Sequence, residues 1–252
     1  SMAATPRFSW RLATVIATAL IVTIVARWPL AWTTHWLPTG VVCDTPAGSA
    51  WSGHCGSLTV RGVPLGDTSW QFHPLPLLRG TLAFSLQSQQ GTDRIAAELE
   101  LRPDGRRIAR QVEADLTLGT GLLRQESMGL TGRMHASLAR AVLQGRRVHE
   151  LAGIVTVQHL AQGATPLGSY EIRFPDAPVA GDDRADVKGE LRGLGGPLGF
   201  TGTLAFTGEP GYVIDGKVTT RADTPPALAR QIAFLGTPDA QGRRPFSIAG
   251  TY

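Results

Sequence analysis

Apolar residues fall at every second position over most of this chain, and this period of two constrains the fold more than any other feature. Between residues 82 and 86, leucine and phenylalanine alternate with alanine and serine, and residues 112–118 repeat the pattern. Such alternation is typical of strands with one buried and one exposed face. Other segments with this pattern are 151–157, 170–174, 187–191, 198–206, 212–218 and 246–248.

The strands predicted from this pattern, about a dozen, follow one another at hairpin spacing, which indicates a mainly antiparallel β fold. The 30 glycines and 17 prolines are scattered along the chain, as expected for short strands joined by turns. Few helices are available to cover an apolar face. We therefore expect a curved antiparallel sheet, open, sandwich-like or closed into a partial barrel, with one or two short helices. Strand glycines that favour this curvature are Gly132, Gly153, Gly189, Gly202 and Gly216.

Helical signals are sparse. The strongest predicts a helix with Thr224 as its N-cap, Pro225 in its first turn and Gly236 as its stop. Residues 74–79 and 121–126 could each form one short helical connection. The apolar face of the strongest helix would consist of Leu228, Ile232 and Leu235.

Two internal similarities are compatible with a duplication. Residues 80–84 and 202–206 have the same sequence, and residues 64–72 resemble 166–174. The two pairs are offset by different distances, so a duplication requires an inserted segment. Chance similarity between glycine-led alternating strands is the alternative.

An uncharged run at residues 12–26 is bracketed by arginines. As a helix it would span ~22 Å, less than the ~30 Å of a bilayer core. Flanking arginines and tryptophans can extend the span into both interfaces. We predict a single-pass anchor with a cytoplasmic N-terminus, because basic residues precede the run. The residues of this anchor would include Arg11, Leu12, Ile16, Leu20, Ile24, Arg27 and Trp28.

A cleaved signal peptide is the alternative for this run, although residues 24–26 make a poor cleavage site. With an anchor, the chain has a cytoplasmic N-terminus at 1–11 and a transmembrane segment at 12–30. A Pro/Gly-rich membrane-exit loop with the cysteine pair follows at 31–56. The remainder, 57–252, is predicted to be an exported β domain, with two related halves in the case of a duplication.

The chain has two cysteines, Cys43 and Cys55. In an oxidising compartment a disulfide closing this segment would contribute ~3 kcal/mol on a chain-entropy estimate. A metal site that includes His54 is the alternative, but adjacent ligands suit tetrahedral geometry poorly. Free thiols remain a third interpretation.

The positive charge of the chain does not predict nucleic-acid binding. The formal net charge is +4 and the isoelectric point about 9.6. Arg7, Arg11 and Arg27 belong to the anchor region, and without them 21 basic residues face 20 acidic ones. No basic tract with interleaved aromatic residues follows.

Catalytic and cofactor motifs are absent from the sequence. It contains no Gly-x-Ser-x-Gly, no phosphate-binding glycine loop, no dinucleotide fingerprint and no His-Glu-x-x-His. The six histidines are dispersed. Asp182, Asp183 and Asp186 form an acidic cluster without the spacing of a calcium loop, which indicates a solvated turn. We therefore predict no enzyme activity, no cofactor and no metal.

Three segments of the chain together form a distinctive motif pattern. The first runs from 48–53 through 65–70 to 74–80, and the second comprises 151–153 and 166–170. The third runs from 196–202 through 225–228 to 235–243. The residues that define the pattern are Trp51, Gly53, Leu65, Gly66, Trp70, Leu77, Leu78, Gly80, Pro197, Gly202, Leu235 and Gly236. In these residues and their order the chain resembles a known family, the protein N component of the bacterial type II secretion system.

The resemblance implies a bitopic inner-membrane protein whose main domain lies in the periplasm. It also implies contacts with other inner-membrane secretion components, with the outer-membrane secretin as a further candidate partner. Catalytic residues are not part of the family pattern. The cysteine pair is a departure from that pattern.

Two functions from different classes fit these observations. One is a membrane-anchored scaffold whose sheet edges or faces bind secretion partners. The other is a carrier or shield for a lipid or another apolar ligand in a curved β groove. A periplasmic hydrolase is a third hypothesis, and it would need a pocket with a coupled nucleophile and base.

Overall fold

The structure is a computed structural model that describes residues 16, 18–20, 23, 40–119, 129–175, 186–207 and 211–251. Most of the predicted anchor lies outside these residues, but Ile16 and Leu20 are described, helical and exposed. Among the described residues, no helix is long and apolar enough to cross a membrane. The short helix predicted at 121–126, together with Asp182 and Asp183, also lies outside them.

Thirteen strands form one open antiparallel sheet in which each strand pairs with the next along the chain. This order extends a single layer by successive hairpins, so the described strands form neither a sandwich nor a closed barrel. Two edges remain, at the first and the last strand. The strands are β1 Val41–Gly48, β2 Ser52–Val60, β3 Val63–His73, β4 Leu82–Gln90, β5 Asp93–Leu101, β6 Arg106–Leu118, β7 Leu130–Gln144, β8 Arg147–Gln162, β9 Thr165–Phe174, β10 Val187–Gly195, β11 Leu198–Thr207, β12 Gly211–Thr220 and β13 Arg244–Thr251.

Among the described residues two helical segments connect strands, and both were predicted. A 3₁₀-helix, Leu75–Arg79, joins β3 to β4 and ends at Gly80, whose φ of 71° is left-handed. The α-helix Pro226–Ala233, here α1, joins β12 to β13.

The exit loop predicted at 31–56 is wrong from residue 41 onward, because β1 and the start of β2 occupy that region. The two strands pair from Val41 opposite Val60 to Gly48 opposite Gly53. Thr45, with a φ of 51°, and the proline that follows it interrupt the alternation. This interruption concealed the strand, since a sequence pattern that loses its alternation reads as a loop.

A disulfide joins Cys43 on β1 to Cys55 on β2, as predicted, with their Cα atoms 5.7 Å apart. The two residues are offset in register, because Cys43 faces Leu58 while Cys55 faces Pro46. Cys55 is fully buried. The bond therefore fastens an edge strand that has only one neighbour.

We predict that alkylation without reductant leaves Cys43 and Cys55 unlabelled in the native protein. Replacing both with alanine should lower the free energy of unfolding by about 3 kcal/mol, the loop-closure contribution. Mass spectrometry of the alkylated chain and chemical denaturation measure the two effects. Labelling of both thiols before reduction would refute the bond.

The sheet bends sharply near β9. Strands β8 and β10 lie on either side of β9, and Cα atoms of these two strands approach within 8 Å. In a flat sheet, next-but-one strands are about 9.6 Å apart. At this bend a Cβ on Gly196 would lie 2.4 Å from the Cα of Gly168. Only glycine permits this approach, and neither of these two glycines is among the strand glycines that were predicted to favour curvature.

Aromatic rings lie over glycines of neighbouring strands on one face of the sheet. A Cβ on Gly189 would lie 2.6 Å from the Phe174 ring, and one on Gly53 would lie 2.4 Å from the Trp70 indole. A Cβ on Gly250 would likewise lie 2.6 Å from the ring of Tyr212. Within the described part of the chain no second layer covers these rings, which bury area by lying on the sheet itself.

We predict that Gly189→Ala destabilises the fold by about 1–3 kcal/mol, the usual range for overpacking. Gly193→Ala on the same strand is the matched control, because its nearest neighbour would be a backbone nitrogen at 3.3 Å. Phe174→Leu in the Gly189→Ala background should recover part of the loss by removing the ring. Chemical denaturation of the four chains measures this, and equal losses for the two alanine variants would contradict it.

The proposed duplication stays a prediction. Residues 64–66 and 166–168 are equivalent, because each Pro-Leu-Gly opens a strand and Gly66 and Gly168 both have positive φ. The two segments of identical sequence are not structurally equivalent. Residues 80–84 span the end of the 3₁₀-helix and the start of β4, whereas residues 202–206 lie within β11.

Candidate functional site

The strand register places almost all large apolar side chains on one side of the sheet. Residues directly opposite each other in an antiparallel pair share a face, as do alternate residues along a strand. One cross-strand row runs from Ile95 on β5 through Ala114, Ala136 and Val155 to Ile172 on β9. We call this side the apolar face. It also includes Trp70, Phe72, Phe84, Leu86, Leu99, Val112, Leu138, Val157, Tyr170, Phe174, Leu191, Phe200, Leu204, Phe206, Tyr212, Ile214, Val218, Phe246 and Ile248.

Most of the apolar face is not covered by other parts of the described chain. Val155, Ile172, Leu191 and Ile214 are only half-buried, and Ile248 is 52% exposed. A sheet face of this kind normally packs against a second layer. The apolar face therefore presents a broad surface that can accept an apolar partner or ligand.

Helix α1 covers one end of the apolar face. Its buried residues Leu228 and Ile232 pack with Leu198 of β11 and Val218 of β12. Two of the three predicted face residues are therefore correct, whereas Leu235 is 42% exposed. Leu228 and Ile232 lie one helical turn apart, which is why the sequence could predict them.

The predicted N-cap is wrong. The residue before the helix is Pro225, and no side chain caps it. The Thr224 hydroxyl instead donates to the Pro197 carbonyl and accepts the Arg221 N–H at 2.7 Å. Pro225 separates Thr224 from the helix, and neither Pro225 nor Pro226 has an N–H to cap. The Thr224 hydroxyl therefore ties the segment before α1 to Pro197, the residue before β11.

We predict that Leu228→Ala or Ile232→Ala lowers the free energy of unfolding by about 2–4 kcal/mol, as for other buried large-to-small changes. Phe234→Ala is the control on the same segment, because Phe234 is 88% exposed and should change stability little. Thermal or chemical unfolding measures the three variants. A Phe234→Ala loss as large as that of Leu228→Ala would show that α1 packs differently.

The loop between α1 and β13 is fastened by Asp239. Its carboxylate accepts hydrogen bonds from Lys217 Nζ at 2.9 Å and from the side chain and N–H of Arg243. The Lys217 bond contributes most to a pKa well below the ordinary carboxyl value, while partial burial opposes it. A depressed pKa means that this interaction is present above the ordinary carboxyl pKa and is lost as the pH falls.

The opposite face of the sheet is mostly polar, although the buried Ile108 of β6 and Val142 of β7 lie on it. His135 Nδ1 lies 2.8 Å from Asp115 Oδ1, and Ser137 donates to Glu113 at 2.6 Å. Further along the same face, Arg192 pairs with the Glu171 carboxylate at 2.6 Å. These exposed pairs contribute little stability individually. These charged and polar side chains can be hydrated by water, unlike the side chains of the apolar face.

Within the described part of the chain, the side chains that lie together do not form a recognisable catalytic arrangement. His73 Nε2 lies 2.6 Å from Ser85 Oγ, but no acidic partner for this histidine is described. His54 contacts Asp67 at 3.3 Å, and the disulfide takes up both cysteines of the alternative metal site. Among the described residues, no three His, Cys, Asp or Glu side chains could together hold a metal ion.

The two sheet edges differ. Edge strand β1 contains the positive-φ residue Thr45, the N–H-free Pro46 and the disulfide. Edge strand β13 has its proline at the start, and its residues 246–251 pair regularly with β12. Bulges and prolines protect an edge from pairing with other chains. The edge at β13 is thus the more accessible for an added strand.

The residues that carry the family resemblance form two separate groups. The first occupies β1–β4, where the Trp51 ring lies 4.9 Å from that of Phe72 and Trp70 Nε1 donates to the Ala50 carbonyl. The second lies in β11 and around α1. Leu65, Gly66, Leu77, Leu78 and Gly80 belong to the first group with Trp51, Gly53 and Trp70, and Pro197, Gly202, Leu235 and Gly236 to the second.

Several of these residues make structural contacts at the two ends of the sheet, whereas two leucines are largely exposed. The Leu65 carbonyl accepts the Ser88 hydroxyl, and Pro197 holds the α1 connection. Leu77 and Leu78 are 50% and 87% exposed. Sequence reasoning did not predict the β13 edge or the glycine–aromatic pairs, because both depend on which strands become neighbours.

Comparison with known families gives a match over residues 39–247 to the model for type II secretion system protein N. The chain belongs to this family. A curated relative, the type II secretion system protein N of Pectobacterium carotovorum subsp. carotovorum, is 24% identical over 219 residues, which is 85% of each chain. No solved structure matches the chain. The resemblance seen in the sequence is thereby confirmed, and the chain is a component of the type II secretion machinery.

Proposed function

We propose that this protein N acts as a non-enzymatic scaffold, anchored in the bacterial inner membrane with its sheet in the periplasm. The open edge at β13 is the observation that carries the scaffold role. A partner strand can add there through main-chain hydrogen bonds, as in β-augmentation. The Cys43–Cys55 disulfide supports an oxidising compartment such as the periplasm.

The partners that we propose are other inner-membrane secretion components and the outer-membrane secretin. An added strand would extend the apolar face, because the Ile248 side chain lies on that face and is half exposed. Specificity would then come from alternate side chains of the partner strand packing beside Ile248. The segment at 12–30 would hold the sheet near its inner-membrane partners.

We predict that a photo-crosslinking amino acid at Ile248, in intact envelopes, captures secretion proteins. Val42 on β1 is the matched control position, because it is 56% exposed on the protected edge. Ile248→Lys should reduce secretion of a reporter through the machine, since a charge on an edge strand discourages pairing, whereas Val42→Lys should not. Mass spectrometry of the adducts that finds no secretion component at Ile248 would refute the scaffold.

A second function, a carrier or shield for an apolar ligand, is favoured by the uncovered apolar face. The half-buried Val155, Ile172 and Leu191 lie at its centre, where a bound acyl chain would displace water from them. A photoactivatable phospholipid incorporated in envelopes separates the two functions. Labelling of β8–β11 would support the carrier, whereas labelling confined to residues 1–39 would contradict it.

A further inference from the structure

Three neighbouring connections lie together at one end of the sheet. Because each strand pairs antiparallel with the next, alternate connections fall at the same end. The β3–β4 connection with its 3₁₀-helix, the β5–β6 turn and the β7–β8 turn therefore form one rim. We call residues 74–81, 102–107 and 145–147 the leucine–arginine rim.

The 3₁₀-helix exposes nearly all of its apolar side chains. Leu75, Leu77 and Leu78 are 77%, 50% and 87% exposed, and the helix buries no residue. Leu82 and Leu101, at the adjacent ends of β4 and β5, are each 40% exposed. Contiguous exposed leucines of this kind mark a binding surface more often than a chance feature of a soluble surface.

Positive charge surrounds these leucines. The rim contains one acidic residue, Asp104, which lies 3.7 Å from Arg106 Nε. The arginines of the rim are Arg79, Arg102, Arg106, Arg107, Arg146 and Arg147.

We infer that the leucine–arginine rim docks onto an anionic phospholipid surface. The leucines project from a single short helical turn rather than lining a groove, so they suit insertion between headgroups better than a shaped protein pocket. The arginines are spread over three separate turns, which matches the diffuse charge of a membrane surface. Apolar insertion combined with basic residues is the usual composition of an interfacial membrane contact.

The rim lies far from the point where residues 1–39 join the sheet. Val41 pairs with Val60 beside the β2–β3 turn, at the opposite end. The 13 residues of β6 run between the two ends and would span ~44 Å if fully extended. The rim is thus placed to contact a bilayer region other than the one beside residue 40. This inference does not depend on the scaffold proposal, because it concerns a different end of the molecule.

The test uses the full chain reconstituted in zwitterionic nanodiscs, so that any membrane-inserting segment is already occupied. These nanodiscs are mixed with vesicles of phosphatidylcholine alone or with added phosphatidylglycerol, and flotation measures their capture. We expect capture only by the phosphatidylglycerol vesicles, weakening as salt is raised. Arg102→Glu with Arg107→Glu should reduce the apparent affinity by at least about 25-fold, given about five-fold for each basic residue lost and further repulsion from each added carboxylate.

Leu75→Ser with Leu78→Ser should also reduce capture, without altering the circular dichroism of the sheet. Matched controls at the opposite end are Leu194→Ser, at a residue 48% exposed, and Arg61→Glu, which should leave capture unchanged. Equal capture by both vesicle types, or no effect of the rim variants, would overturn the inference. So would photo-crosslinks from Leu78 in envelopes that join protein but not lipid, since they would assign the rim to a protein partner.

Discussion

The consecutive pairing of thirteen strands in one layer is the constraint on which the rest of this structure depends. A single layer has no second sheet on which to bury its apolar side, so the chain must gain packing within the layer. Aromatic rings lying on cross-strand glycines do this: Phe174 covers Gly189, and Tyr212 covers Gly250. Such contacts bury ring area where a standing side chain would remain in water. They also explain why glycines are frequent within strands that otherwise favour β-branched and aromatic residues.

Because the sheet is a single layer, its two edges are stabilised in different ways. At β1 the disulfide between Cys43 and Cys55 restrains a strand that has one neighbour. At the other end, α1 closes over β11 and β12 through Leu228 and Ile232, while β13 beyond it keeps a regular outer row of backbone groups. The molecule is therefore polarised along the sheet, with one protected edge and one receptive edge. A scaffold that adds a single partner strand requires this asymmetry, because two open edges would promote uncontrolled polymerisation.

Much of the fold could be predicted from the sequence because strand alternation is a local signal. The period of two in residues 82–86 and the helical spacing of Leu228 and Ile232 depend only on near neighbours in the chain. The identity of β1 could not be predicted, since Thr45 and Pro46 break its alternation and only pairing with β2 reveals the strand. The openness of the sheet was one of three alternatives, because alternation specifies which side chains share a face but not whether two such faces meet.

The candidate surfaces were predictable to different degrees for the same reason. An apolar face follows from many alternating strands, and the sequence contains that information, but it does not contain the finding that the face is left uncovered by the described chain. The leucine–arginine rim does not follow from it, because Leu78, Arg102 and Arg146 are far apart in the chain and meet only through the order of the strands. The exposure of Leu78 resolves an ambiguity in its motif: a leucine in a family pattern is usually a core residue, whereas here it is 87% exposed. A position that is apolar without being buried contributes little to the stability of the sheet, so its chemistry is explained better by what it contacts outside the chain.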